Sequence, residues 1–220
     1  MTNQNPAHLY IHHIVKLCQD HHKKSIDLLT EGISMKEFME IYAKEIEEGF
    51  KNKKLATAKE ISNYYPPLLG KSDLEIFNSQ LSKASFLDIA ACIHGFEAFS
   101  KIQDVKIDGE FEKSVNALLA GDYDFLRGIV NMKPQLVHQR SNFGHGAYLL
   151  HYGASNAVEL YRQVVPLNLG SMIELLLGAG AEKDSEIEVY GGSYTFLDLF
   201  NSSAHPRAAG IMNEVNALFS

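Results

Sequence analysis

The sequence predicts an all-α fold: a right-handed stack of four to five helix pairs, a helical repeat solenoid with a helical cap at its N-terminal end. Three features of the 220-residue chain carry that expectation. Apolar residues recur at helical spacing through most of its length, Pro-Pro, Gly-Phe and Gly-Asp breaks cut the helical segments, and the breaks divide the chain into units of about 30 to 40 residues. A pair of short helices cannot bury its apolar face alone, so units of this period are expected to stack side by side. Hydrophobic residues make up 45% of the chain, ample material for a core.

From the N-terminus, Leu9, Ile11, Ile14, Val15, Leu17, Cys18, Ile26, Leu28 and Leu29 give residues 6–30 a helical spacing, broken near His21-His22-Lys23-Lys24. Residues 1–33 therefore read as a cap, and residues 34–220 as the repeat domain, in units 34–69, 70–107, 108–140, 141–186 and 187–220. Ser34 stands three residues before Glu37 in a capping-box pattern and opens a helix with Phe38, Ile41, Tyr42, Glu45 and Ile46 on one face. A second helix, about Leu55 to Tyr64, must stop at Pro66-Pro67, where the ring clash and the missing N–H forbid continuation. In the next unit an apolar helix ends at Gly95 and a short helix is expected from Phe96. The unit after it turns at Gly121-Asp122 and meets Pro134 beyond its second helix.

Charge narrows the possible partners. Twenty Lys and Arg stand against 27 Asp and Glu, a balance that repels phosphate backbones and anionic lipid, so neither nucleic acid nor membrane is an expected partner. Residues 1–110 hold 13 Lys and no Arg, whereas Arg127, Arg140, Arg162 and Arg207 all lie in the second half. Arg is the side chain suited to bidentate recognition, which points to that half for a site. Cys18 and Cys92 sit in apolar helical patterns, as reduced buried thiols of a cytoplasmic protein would. The opening MTNQNPAHLYIHH has no basic region followed by an apolar run, and no window approaches 18 apolar residues, so neither export nor membrane insertion is expected.

The fourth unit carries the most specific signature. Gly146-Ala147-Tyr148-Leu149-Leu150-His151-Tyr152-Gly153-Ala154, followed by Ile173-Glu174-Leu175-Leu176-Leu177-Gly178-Ala179-Gly180-Ala181, resembles an ankyrin repeat, and the AGD turn and PQLVHQR ending of the unit before it are similar. The resemblance is to bacterial ankyrin-repeat proteins of the type FGHxAxLLHY…NxVExxRQxxPxN…LLLxAGA…YGG…SSAHPxxAG. It covers Phe143 to Gly210 well and residues 34–140 more loosely, and it leaves out residues 1–33. Two positions depart from it: Tyr148 stands where the corner normally has Thr, and Asp198 in TFLDLF stands where the last unit would have His. The resemblance implies that His151 hydrogen-bonds the backbone of an adjacent turn. It also implies a non-enzymatic protein–protein interaction module with a concave loop-and-finger surface, whose partner is another protein and which needs no cofactor.

One feature breaks the repeat grammar. In an uninterrupted ankyrin repeat the corner His lies about 13 residues before the Leu run, whereas His151 precedes Leu175 by 24. The excess is the VELYRQVVPLNL region, and insertions in stacked repeats map to loops on one face, often the binding face. Pro166 ends any helix running on through Tyr161, and Asn168 or Ser171 can cap the next. The expectation is that the first helix is extended or looped outward, lifting Glu159, Arg162 and Gln163 off the stack.

Two readings of that insertion compete. Glu159 and Arg162, three apart on a helical face, can simply pair with each other and with repeat loops. Alternatively, Arg162 and Gln163 form a polar pocket with His145, Tyr190, Asn201 and His205 that recognises a carboxylate, an amide or a peptide backbone. A third possibility is a metal-dependent hydrolase using His145, Glu159 and His205 around Arg162, although no HExxH or CxxC spacing supports a metal and none is expected. The sequential pairs His12-His13 and His21-His22 read as solvated surface. Tyr190-Gly191-Gly192-Ser193 reads as a β-turn finger with no strand before it, not a phosphate cradle.

Overall fold

In the computed structural model, which describes residues 8–220, the chain is mostly helical. A short strand β1 (Leu9–Tyr10) leads into α1 (His13–His21) and α2 (Lys23–Leu28), and a 3-10 turn at Leu29–Glu31 follows. The long α3 (Met35–Lys51) begins where Ser34 Oγ accepts the Glu37 N–H at 3.2 Å, satisfying one of the orphan donors of a helix start. Next comes α4 (Leu55–Tyr64), which ends at the Pro66–Leu68 3-10 turn. After α5 (Asp73–Phe77) and α6 (Lys83–Ile93), the chain returns through a 3-10 turn at Phe99–Lys101 to the start of α3, where Met35 N–H donates to Val105 and Ile107 N–H to Ile33. That turn stands in place of the helix expected from Phe96.

The second half opens with α7 (Gly109–Ala120) and α8 (Tyr123–Met132), joined at Gly121 in the left-handed conformation, with Asp122 capping α8. A 3-10 turn at Pro134–His138 precedes α9 (Leu149–Tyr152), and a further 3-10 turn at Leu160–Arg162 precedes β2 (Val165–Pro166) and α10 (Leu169–Gly178). Strands β3 (Glu186–Val189) and β4 (Gly192–Thr195) form an antiparallel hairpin turning at Tyr190 and Gly191, both at positive φ as a two-residue hairpin turn requires. The YGG finger is therefore preceded by a strand, contrary to the sequence expectation: Ile187 is the only fully buried residue of EIEV, too weak a pattern to stand out. The chain closes with α11 (Phe196–Ser202), α12 (Ala204–Ala209) and α13 (Met212–Asn216). Asp198, where the last unit would have His, closes a capping box with Thr195 instead. Among the described residues no helix is long and apolar enough to cross a membrane.

Two hydrophobic cores organise these elements. The first gathers Val15 and Cys18 of α1 with residues of α3, α4 and α6; the second gathers α7 to α11 and α13. The segment 158–165 feeds both, sending Leu160, Tyr161 and Val164 into the first core and Val158 and Val165 into the second.

The expected outward excursion of the insertion does not occur. Helix α9 is a single turn, Ser155 and Ala157 reverse the chain at φ 49° and 60°, and β2 then pairs antiparallel with β1, Tyr10 opposite Val165. Two non-glycine left-handed residues cost about 1–2 kcal/mol each. Burying five large apolar side chains gains about 1.5–3 kcal/mol each. Burial wins, and the segment folds inward. Its backbone polar groups find partners there: Ser155 Oγ donates to the Val164 carbonyl, and Ser203 Oγ donates to that of Ser155.

Candidate functional site

The inward fold of the insertion builds a buried polar cluster at the junction of the two cores. Glu112 lies on the face of α7 that also carries Val115 and Leu119, so its carboxylate is carried inward with them. There it accepts a short hydrogen bond from Arg162 Nη2. Arg162 Nη1 donates to the Tyr152 hydroxyl at 3.1 Å and lies 3.6 Å from Glu159 Oε2. The rings of Tyr152, Phe143 and Tyr161 surround the guanidinium at 5.2, 5.4 and 5.5 Å, a cation–π environment that helps replace lost water. Side-chain exposures of 3% for Arg162, 2% for Glu112 and 0% for Glu159 turn these charges toward one another and away from solvent.

His145 completes the cluster through an unusually close backbone approach. A Cβ on Gly144 would stand 2.3 Å from the Gly95 carbonyl oxygen, and a Cβ on Gly95 would stand 2.3 Å from His145 N. Only glycines let this loop lie against the end of α6, where Gly144 N–H donates to the His94 carbonyl. His145 Nδ1 accepts the Ala147 N–H at 3.0 Å, which leaves Nε2 to donate to Glu159 Oε1 at 3.2 Å. Nearby, His94 Nδ1 donates to the Ala90 carbonyl, and the Tyr161 hydroxyl donates to His94 Nε2 at 3.3 Å. Burial pushes His94 down to about 4, so it stays neutral.

The carboxylates respond to this environment in different ways. Burial raises Glu159, but Arg162 and then His145 overcome it and hold the carboxyl at about 2. Burial also raises Glu112 and there prevails over the pull of Arg162. The Arg162 guanidinium is driven above its usual range, its burial outweighed by Glu112 first and then by the other groups around it.

Of the residues the sequence singles out, His145, Glu159 and Arg162 are brought together. The other four go elsewhere, because each finds a nearer partner. Gln163 Nε2 donates to the Tyr64 hydroxyl and the Val158 carbonyl, both at 3.1 Å. Tyr190 donates its hydroxyl to Asn156 Oδ1 and accepts the Ala157 N–H. Asn201 Oδ1 accepts from Asn216, and the Asn201 carbonyl accepts from Arg207. His205 packs its ring near Tyr10 and His12 at 6.2 and 5.8 Å. The polar pocket expected from Arg162, Gln163, His145, Tyr190, Asn201 and His205 is not assembled, and the three ligands of the hydrolase reading do not converge. Among the described residues no group of three or more His, Cys, Asp or Glu side chains is arranged to hold a metal ion. At the corner, His151 Nε2 donates to the Ser185 carbonyl at 3.1 Å, while Tyr148, in the usual Thr position, lies under the Arg140 guanidinium at 4.5 Å.

A second buried cluster escapes the sequence reading. His22, expected on the surface, is fully buried: Nε2 meets Glu60 Oε2 at 2.8 Å and Nδ1 meets Glu45 Oε2 at 3.0 Å. Tyr42 stacks on its ring at 3.9 Å and donates its hydroxyl to Glu60, and Ser25 donates to Glu45. Burial works against charging His22, but Glu60 and Glu45 raise it to about 9. Of the two cysteines, Cys18 is buried with its thiol pushed far up by burial, and Cys92 is half-buried with its thiol pushed up to about 11 by burial and Asp88.

No protein-family model, no curated protein and no solved structure matches the chain.

Proposed function

We propose that the chain is an ankyrin-type helical-repeat scaffold that binds another protein in the cytoplasm and performs no chemistry on it. The observation that carries this reading is the β3–β4 finger. Its tip places Tyr190 at 68% exposure with the hydroxyl tied to Asn156 and Ala157. A large aromatic already held in one orientation loses little rotamer freedom on binding, which is what interface anchors require. The helix pairs α7/α8 and α9/α10, read as stacked repeats, and the corner at His151 support the same assignment. So does the inward closure of the Arg162 cluster, which makes Arg162 a staple between elements and leaves recognition to the finger. An excess of seven negative charges disfavours nucleic acid and anionic lipid as the partner.

A photo-crosslinking residue at position 190, compared with one at the exposed Asn131 of α8, tests this reading in the source cell. A discrete protein adduct at 190 and none at 131 is the expected result. No adduct at 190, or the same adduct at both positions, removes the finger as a binding surface.

A further inference from the structure

We infer that the cleft between α1 and α7 binds a small amphipathic carboxylate, its apolar part on the cleft floor and its carboxylate at the lysine-lined mouth. The cleft is open to solvent along its mouth and has a volume of about 470 Å³, within the range of about 300–1,000 Å³ that small-molecule pockets occupy. Helix α1 forms one wall and α7 the other, and the inward-folded insertion closes the bottom with Tyr161, Arg162 and Val164. Ile11, Ile26, Leu119 and Val164 make the interior mainly apolar. Such a surface rewards burial of a hydrocarbon chain and penalises a polyanion such as a nucleotide.

Charge selects the head group. The cleft is lined by Lys16, Lys23 and Arg162 against a single lining acid, Asp20. Arg162 is already matched by Glu112 and Glu159, so it shapes the floor and is not the receptor. The available cations are Lys16 and Lys23. They pair along their own helical face with Asp20 at 2.5 Å and Asp27 at 2.6 Å, all four side chains more than half exposed. Exposed pairs of this kind contribute almost nothing to stability, so a ligand carboxylate can displace either at little cost. A cationic head group would instead meet two ammonium groups and an aspartate already engaged.

The probe is decanoate, titrated below its micelle concentration into the full chain carrying labelled methyl groups. Saturable shifts at the Ile11, Ile26, Leu119 and Val164 methyls are expected, with decyltrimethylammonium giving none. The double variant Lys16→Glu/Lys23→Glu changes only exposed side chains and should weaken decanoate at least tenfold, with only a small fall in melting temperature because each new Glu stands four residues before an Asp. Ala120→Trp, at an exposed position on the cleft wall, should block binding by filling the space. Absence of saturable shifts, shifts confined to other methyls, or equal affinity in the Lys16→Glu/Lys23→Glu variant overturns the assignment. Decanol binding as tightly as decanoate overturns the carboxylate selection. The crosslink at Tyr190 and this titration report on separate surfaces and succeed or fail independently.

Discussion

Arg162 shows how much compensation one buried charge demands. Taking a guanidinium out of water costs several kcal/mol, which hydrogen bonds and opposite charge must offset. Here Glu112, Glu159, Tyr152 and three aromatic faces supply that offset. Arg162→Ala would leave the buried Glu112 and Glu159 carboxylates without their cation, so a loss of about 3–5 kcal/mol in denaturant unfolding is expected; a loss below about 1 kcal/mol would show that the charges do not depend on it. Acid should act through the same group. Glu159 is held at about 2, below the ordinary carboxylate value, so its contribution is present above pH about 4.5 and is lost as pH falls toward 2. His22 has the opposite sign. Its pKa is raised to about 9 by the flanking carboxylates, so its contribution is complete below pH about 6.5 and is lost as pH rises toward 9. Melting temperatures measured from pH 6 to 9 should fall, and His22→Gln should flatten that slope; an unchanged slope in the variant assigns it to another group.

Individual elements differ in how far their own residues determine them. The ends of α3, α4, α7 and α8 follow Ser34, Pro66, Gly121 and Asp122, whose effects act within one turn, and these were legible in the sequence. The stretch from Ala154 to Pro166 was not, because its shape is set by remote partners: the strand at Tyr10, the Glu112 carboxylate 50 residues away, and an apolar floor shared by two cores. His22 was misread for the same reason, its partners lying 23 and 38 residues on. The readable clue was a charge on an apolar face, as with Glu112 beside Val115, or Glu60 beside Ala56 and Ile61. Leu176→Ala in α10 should cost about 2–5 kcal/mol by leaving a cavity. The outward excursion expected from the sequence would make the loss of Leu160 milder. At 5% exposure inside the first core, Leu160→Ala should instead fall in the same range of about 2–5 kcal/mol. Denaturant midpoints of the two variants compare them directly, and a near-neutral Leu160→Ala would place that side chain outside the core.

At the scale of the whole molecule, two cores of this size could melt separately unless something couples them. The segment 158–165 is the coupling element, since it contributes side chains to both cores, carries the Arg162–Glu112 pair, and accepts the Gln19 amide of α1 at the Tyr161 carbonyl. Strand β2, which begins at its last residue, pairs with β1 at the other end of the sequence. Wild-type protein should therefore unfold in one calorimetric transition, and the slowest-exchanging amides of α3 and α10 should report the same opening free energy. Removing Arg162 weakens the bridge while leaving most of each core intact. In Arg162→Ala the transition should split or broaden, and the protection of α3 and α10 should diverge, the core with fewer remaining cross-contacts opening first. A single sharp transition that merely shifts to lower temperature, with α3 and α10 still matched, would mean that cooperativity is carried by the β1–β2 pairing and the remaining apolar contacts of the segment, and that the buried ion pair stabilises the junction without coupling it.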